Sequence, residues 1–517
     1  MALLLLILFP FAGAIFAASM KVAQVARVWT LLISFLTFAL ALVVAGGVMD
    51  KSVVTWGTTP GVANPLAISD IGLAARLSCD GISIWLVLLT TFIVPLVVVS
   101  VGPAINDRAD ARWFYTWVLV LLGSLLGAFI AADGLLFYFF FELTLVPSLF
   151  MIAIWGGADR RAAAGRFFIY TFAGSIFLLI GLIYLAAQAN SFEMSRLIWV
   201  AQNDITSTER WWIGLAFLVG FLIKTPVFPL HSWQPLTYAE SPSPAAALIA
   251  ALMSKLGTYG LLRLAIPIGF VGPTNNGAIS QTVIVLCLIG IVYGGLIAWV
   301  QKDAVRLIAY SSLSHLALCV LAMFAALANN ASTTLSLQGA VMYMIAHGLS
   351  TAALLLVIGA IYARAGTRNL TEISGLFAKM PVLSTLLVIF TMASIGLPIT
   401  SGFVGEILSL QGVLNGLGFG VAAIAALGMI LGAIYMLHMV ASIGFGPLKA
   451  PAGAVLTDAT DREMAALLPL VAAVLALGIM PTPVLESFKD EVAAIAHWSP
   501  TVLEDNRPQQ TEEPYWQ

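Results

Sequence analysis

The stretch "FLIKTPVFPLHSW", residues 221–233, places Lys224 inside an apolar run and follows it with Pro226, Pro229 and His231. An ammonium group needs water or a counter-charge. Proline lacks an N–H and collides with the preceding helical turn, so it ends or kinks a helix. Whether this is a span of an integral membrane protein, interrupted beside a buried charge, depends on what surrounds it.

The surroundings are apolar almost throughout. The chain has 517 residues, of which 61% are hydrophobic and 9% charged, against roughly 25% charged in soluble domains. Runs of about 20 apolar residues, the length that crosses a hydrocarbon core, recur about fourteen times. The expected fold is therefore an all-α polytopic membrane protein in a single membrane domain, residues 1–487, with a polar tail over 488–517 that is flexible or bound to a partner. The opening "MALLLLILFPFAGAIFAASMKVAQVAR" has no basic residue ahead of its apolar run and reads as a retained first span.

Composition excludes several functions. A net charge of −2 leaves no basic face for nucleic acid. Cys79, Cys287 and Cys319 are scattered, without the spacing that holds zinc, haem or an iron–sulfur cluster. No cofactor or metal is expected in this chain, so any redox chemistry belongs to other proteins.

Charge sets the orientation. With the N-terminus outside, the inner loops collect most of the basic residues, among them Arg160, Arg161, Lys302, Arg306, Arg364 and Arg368. The positive-inside rule then places both termini on the outer side. Three basic residues fall within spans. Arg263 lies near a span end and can snorkel to the interface, but Lys224 and Lys255 lie near mid-span. Glu142 in "FYFFFELTLVPSLF" and Glu406 in "TSGFVGEILSL" join them, as do His315, His347 and His438, with His231 at the inner end of the broken span.

A second span, roughly 381–411, is interrupted by Gly396, Pro398, Gly402 and Gly405. It lies five spans after the first broken one, roughly 211–231, and an odd shift reverses direction through the membrane. Residues of about 113–266 and 279–446 are therefore expected to form two inverted five-helix repeats, each with one discontinuous helix.

A charged group at the bilayer centre costs about 2.5–3.5 kcal/mol on insertion scales. Static pairing would account for one glutamate and one lysine. It accounts less well for a series of ionisable groups strung over several spans, with two helix breaks beside them. Groups within hydrogen-bonding or one-water reach, with proton affinities brought close together by burial, form a proton route. The breaks expose backbone carbonyls that water or polar side chains must satisfy.

These residues resemble a known family, the antiporter-like proton-channel subunits of respiratory complex I, the proton-pumping NADH:quinone oxidoreductase, of the chain M or subunit 4 type. The resemblance is carried by "DGISIWLVLLTTFIVPL" (80–96), "FELTLVPSLFMIAIWG" (141–156), "KTPVFPLHSWQP" (224–235), "LMSKLGTYGLLR" (252–263), "RLIAYSSLSH" (306–315), "AHGLSTAALLLVIG" (346–359) and "ASIGLPITSGFVGEIL" (393–408). It implies fourteen helices with the seventh and twelfth broken. It also implies Glu142 paired with Lys224, Lys255 as the central connecting lysine, His315 and His347 as relays, Glu406 as the terminal proton site and His231 as the histidine after the first break. His438 is a secondary candidate from its place in a span.

Partner subunits, including paralogous antiporter-like chains, would carry the flavin, iron–sulfur clusters and quinone, and the assembly would sit in a bacterial-type cytoplasmic membrane. A multisubunit cation/proton antiporter, or a photosynthetic or hydrogenase-linked complex, shares these motifs. The chain leaves the family pattern after the first break: where W-L-P-D-A-H is usual it has "WQPLTYAE", with Leu236 for the Asp and Tyr238 for the second His, and Val305 stands where a Lys often precedes Arg306.

Overall fold

A computed structural model describes residues 1–51, 53–57, 67–68, 73–271, 277–328 and 333–497. Among these, 12 helices are long and apolar enough to cross a membrane, from Ala2–Ser19 to Asp461–Ile479. Side chains that end helices are placed by local chemistry. Asp80, Asp133 and Asp303 each accept backbone N–H bonds from the first turn of the helix that follows, and Thr206 with Glu209, like Thr460 with Glu463, forms a reciprocal cap.

Burial separates the helices into two classes. Ser243–Gly269 is enclosed along its length and Ala304–Ala325 and Thr334–Ala365 nearly so, whereas Ala2–Ser19, Arg160–Ala189, Phe419–Gly444 and Asp461–Ile479 keep much of their apolar surface outward. Outward-facing apolar residues carry no penalty in lipid. Small residues let the central helices close on one another: a methyl at Gly339 would lie 2.4 Å from Ser409 N, and one at Gly412 would lie 2.3 Å from Ser336 Oγ. The enclosed helices are those that carry Lys255, His315 and His347.

Two helices are interrupted. Ser207–Lys224 stops, the chain turns, and Gln234–Glu240 resumes; Pro381–Ile395 stops and Ser401–Leu417 resumes. The first break comes earlier than the expected span end at 231, because the Pro226 nitrogen cannot continue the helix. Gly396 is left-handed, at φ 80°, and Ile399, at φ 74°, shares that conformation, so the second break is a tight reversal of the backbone.

Several features were not legible in the sequence. The Glu142 helix is divided at Thr144 into Gly134–Leu143 and Leu145–Trp155, since Pro147 offers no N–H to the Leu143 carbonyl. The Lys255 helix contains two π-helical turns, Ile249–Met253 and Leu261–Ala265. Short strands, Val53–Trp56 with Leu77–Asp80 and Ala67–Ile68 with Leu73–Ala74, pair antiparallel between the second and third helices.

Arg263 does not snorkel freely: its guanidinium is held by the Asp80 carboxylate, which also caps helix Gly81–Ser100. The segment read as tail from 488 begins as a helix, Lys489–His497, with Phe488 and Val492 buried and Glu491 accepting from Gly81 N at 3.1 Å. Residues 498–517 lie outside the described residues.

Candidate functional site

Lys224 is the last residue of its helix, where the negative end of the helix dipole favours a cation. It is buried, donates to Thr144 Oγ1 at 3.1 Å, and lies 4.5 Å from the centroid of the Phe141 ring. Helix termination leaves carbonyls to satisfy. The Thr225 N–H reaches Phe221 O, Val227 N–H reaches Leu222 O, and the indole of Trp233 returns across the break to donate to Ile223 O at 3.0 Å.

Glu142 is half-buried in the same neighbourhood, within electrostatic range of Lys224. Its Oε1 has no hydrogen-bond partner, and among the described residues no ion pair joins the two. Thr144, two residues on, holds the ammonium instead. Neutral polar groups continue from there: Ser148 Oγ donates to Thr144 O at 2.8 Å and contacts Met253 Sδ at 2.9 Å, while Thr225 packs so closely on Gly257 that a side chain there would lie 2.3 Å from Thr225 Oγ1.

Lys255 has no solvent exposure. Its ammonium makes contacts with Ala250 O at 3.3 Å, Ser254 Oγ at 3.2 Å and His347 Nδ1 at 2.7 Å. The first contact depends on the π-helical turn just before it, which offers a backbone carbonyl to the side chain; such turns recur at functional positions. From His347 the ring of His315 is 5.8 Å away, centroid to centroid, and His315 Nδ1 is hydrogen-bonded to the Tyr343 hydroxyl.

Tyr343 leads to Glu406. A methyl at Gly405 would lie 2.6 Å from Tyr343 Cα, so the two helices touch one residue from the glutamate. Glu406 is buried, with Oε2 unpartnered, and lies within electrostatic range of both Tyr343 and Tyr435. Tyr435 in turn donates to Ser311 Oγ at 3.0 Å. At the second break the carboxylate occupies the space beside Gly396, where a Cβ would stand 2.2 Å from Glu406 Oε2. Pro398 lies in the turn itself.

The structure thus gathers Glu142 and Lys224 into one group and Lys255, His347, His315 and Glu406 into another. His231 is buried to one side, its ring 5.7 Å from Phe228 and 5.5 Å from Tyr293. His438 is exposed on helix Phe419–Gly444 and joins neither group. Thr144 and Tyr343 escaped sequence reasoning, since a neutral hydroxyl within an apolar run gives little signal. Among the described residues no cluster of three or more His, Cys, Asp or Glu could hold a metal.

The profile of the family described as NADH:quinone oxidoreductase/Mrp antiporter, TM, matches residues 131–431. The chain belongs to this family. The matched stretch contains Glu142, Lys224, Lys255, His315, His347 and Glu406 and ends before His438. Among relatives within the family, NADH-quinone oxidoreductase subunit M of Rhodobacter capsulatus is 36% identical over 436 residues, covering 82% of each chain. The subunit M of Rickettsia prowazekii is 34% identical over 423 residues, covering 81% of this chain and 83% of that one.

Solved structures agree with the family assignment. A chain of respiratory complex I from Thermus thermophilus superposes with a TM-score of 0.82 at 28% identity, over 96% of this chain and 99% of that one. A chain of the Mrp complex from Dietzia sp. DQ12-45-1b superposes with a TM-score of 0.84 over 98% and 99%, and at 20% identity it shares the fold alone.

Proposed function

We propose that this chain is a proton-translocating membrane subunit of a proton-pumping NADH:quinone oxidoreductase. The single observation that carries the reading is the row of buried groups formed by Lys255 bonded to His347, the His315 ring 5.8 Å further on, and Tyr343, bonded to His315 and lying on a helix that touches the Glu406 helix. Burying a lysine against a histidine serves no packing purpose that an apolar pair would not serve better. Proton exchange between them is what the arrangement favours.

In this reading electron transfer occurs in partner subunits holding flavin, iron–sulfur clusters and quinone. The two broken helices are the seventh and twelfth of fourteen spans, and residues of about 113–266 and 279–446 are inverted repeats. The membrane is a bacterial-type cytoplasmic one with both termini outside. Paralogous antiporter-like chains and lipid cover the outward apolar faces.

A change in the distance between Glu142 and Lys224 is the switch. When the carboxylate approaches, Lys224 holds its proton; when it withdraws, the proton moves by way of the hydroxyls of Thr144 and Ser148 toward Lys255. From Lys255 it passes to His347, His315 and Tyr343 and reaches Glu406 for release. The Thr144 hydroxyl gives Lys224 a resting partner when Glu142 is away.

Lys224→Ala in the assembled complex tests the proposal. Proton translocation should be largely abolished while the complex still assembles, as judged on native gels. Normal pumping in that variant would falsify the reading. Sodium-dependent proton exchange without NADH would instead identify a cation/proton antiporter, the second function compatible with the fold shared with the Mrp complex.

A further inference from the structure

Arg364 lies at the inner end of helix Thr334–Ala365, the enclosed helix that carries Tyr343 and His347. A guanidinium has five N–H donors, and here all of them are used. Nε donates to Thr457 O at 2.7 Å, Nη1 to Ala360 O at 2.9 Å and Glu463 Oε1 at 2.8 Å, and Nη2 to Asp458 O at 3.0 Å and Glu463 Oε2 at 2.7 Å. The two bonds to Glu463 run side by side, the most directional pairing an arginine makes. The side chains of Arg364 and Glu463 are only 9% and 10% exposed.

This pair is tied to the second helix break from three sides. Asp458, whose carbonyl Arg364 holds, accepts from Val382 N at 2.8 Å and Leu383 N at 3.0 Å through its carboxylate, and so caps the first half of the broken helix, Pro381–Ile395. Glu463 stands in the first turn of helix Asp461–Ile479, whose far end meets the turn of the break: a methyl at Gly478 would lie 2.3 Å from Ile399 O. Helix Thr334–Ala365 reaches the second half, Ser401–Leu417, where Tyr343 meets Gly405 and Ser336 meets Gly412.

A broken helix has no hydrogen-bond ladder across the gap to fix the separation of its halves. Two continuous helices run past this gap instead. Contacts between small residues set how closely helices approach, but they resist sliding along the axis poorly. A buried bidentate ion pair resists it well, because a small displacement forfeits both bonds. Along the helix Arg364 is about 30 Å from Tyr343 at the usual α-helical rise, too far to exchange a proton with it.

We propose that Arg364 is a positioning residue of the proton route: by pinning Thr334–Ala365 to Asp461–Ile479 and to the Asp458 cap, it sets the width of the second break and the place of the Glu406 carboxylate beside Gly396. The inference rests on the reading of Glu406 as the end of the relay. Arg364 carries no proton; it holds the frame in which Glu406 sits. Without the pin, Pro381–Ile395 is free to shift against Ser401–Leu417, and the space beside Gly396 is no longer fixed.

The test uses the assembled complex with Arg364→Met, Arg364→Lys and Glu406→Gln, each checked for assembly on native gels. Proton translocation per NADH oxidised is measured in proteoliposomes, and hydrogen exchange of the same complexes is followed by mass spectrometry. Leu397 N and Thr400 N are bonded to Met392 O and Leu397 O, so their exchange reports opening of the break. In Arg364→Met, translocation should fall about tenfold and exchange over residues 397–400 should quicken about tenfold. Arg364→Lys, which keeps the charge and part of the bonding, should recover some of both. A merely local clamp would quicken exchange only near residues 382–384 and 455–460.

If Glu406→Gln stops translocation while Arg364→Met leaves either translocation or exchange at the break unchanged, the pin is overturned and the relay stands. If Glu406→Gln pumps normally, the relay reading falls and the positioning role falls with it. Should Arg364→Met fail to assemble, Glu463→Gln, which keeps the shape of the partner and removes its charge, is judged by the same two measurements and the same outcomes.

Discussion

The two helix breaks solve the same problem with opposite charges. At the first, a cation ends the helix: Lys224 is its last residue, the helix C-terminus favours it, and the carbonyl left open by the break is taken by the Trp233 indole. At the second, an anion lies beyond the break: Glu406 sits within Ser401–Leu417 and folds its carboxylate back over the left-handed Gly396. The first break is tied across by one side chain, the Trp233 indole on Ile223 O, whereas the second, beside a local bond from Thr400 Oγ1 to Leu397 O, needs the absence of a side chain at Gly396. A cation can be placed by ending a helix beneath it, whereas a carboxylate at mid-helix needs room.

That contrast ranks the substitutions. Gly396→Ala should be the most damaging: alanine would adopt a strained backbone, costing about 1–3 kcal/mol, and its methyl would collide with Glu406 Oε2. A large fall in pumping, together with a lower unfolding temperature of the detergent-solubilised complex, is expected. Unchanged values would show that the second break does not depend on that space.

Trp233→Phe should be milder. It keeps the aromatic packing on Phe167 but leaves Ile223 O unsatisfied, a loss of about 1–3 kcal/mol. A lower unfolding temperature with pumping reduced but present is the expected result. If this variant were more harmful than Gly396→Ala, the contrast between the breaks would be reversed. His438→Ala should change neither pumping nor stability measurably, since the ring is outward from both groups of ionisable residues; a loss of pumping would place a third group on the outer helices.

Charge made much of the site legible in the sequence. Lys224, Lys255, Glu142 and Glu406 stand out because a formal charge in an apolar run is costly wherever it occurs. Proline and glycine marked both breaks for the same local reason. The rest depends on contacts between distant segments or on weak local signals. Tyr343 is ordinary within "AVMYMIAH" until its hydroxyl is seen on His315, and Thr144 is ordinary until it receives the Lys224 ammonium. The pairing of Asp80 with Arg263 joins residues far apart in the chain, so snorkelling was the natural expectation. The π-helical turns around Lys255 leave no mark that α-helical periodicity reveals, and the first of them supplies the Ala250 carbonyl that the lysine uses.

In the proposed route Lys255 is where the two halves meet, following the neutral hydroxyls from the first break and beginning the histidine relay toward the second. The most direct test is proton translocation measured against NADH oxidation in proteoliposomes of the assembled complex carrying Lys255→Met, which keeps the side-chain length and removes the charge. The account predicts an assembled complex in which translocation is largely lost. Translocation equal to that of the unmodified complex would contradict it.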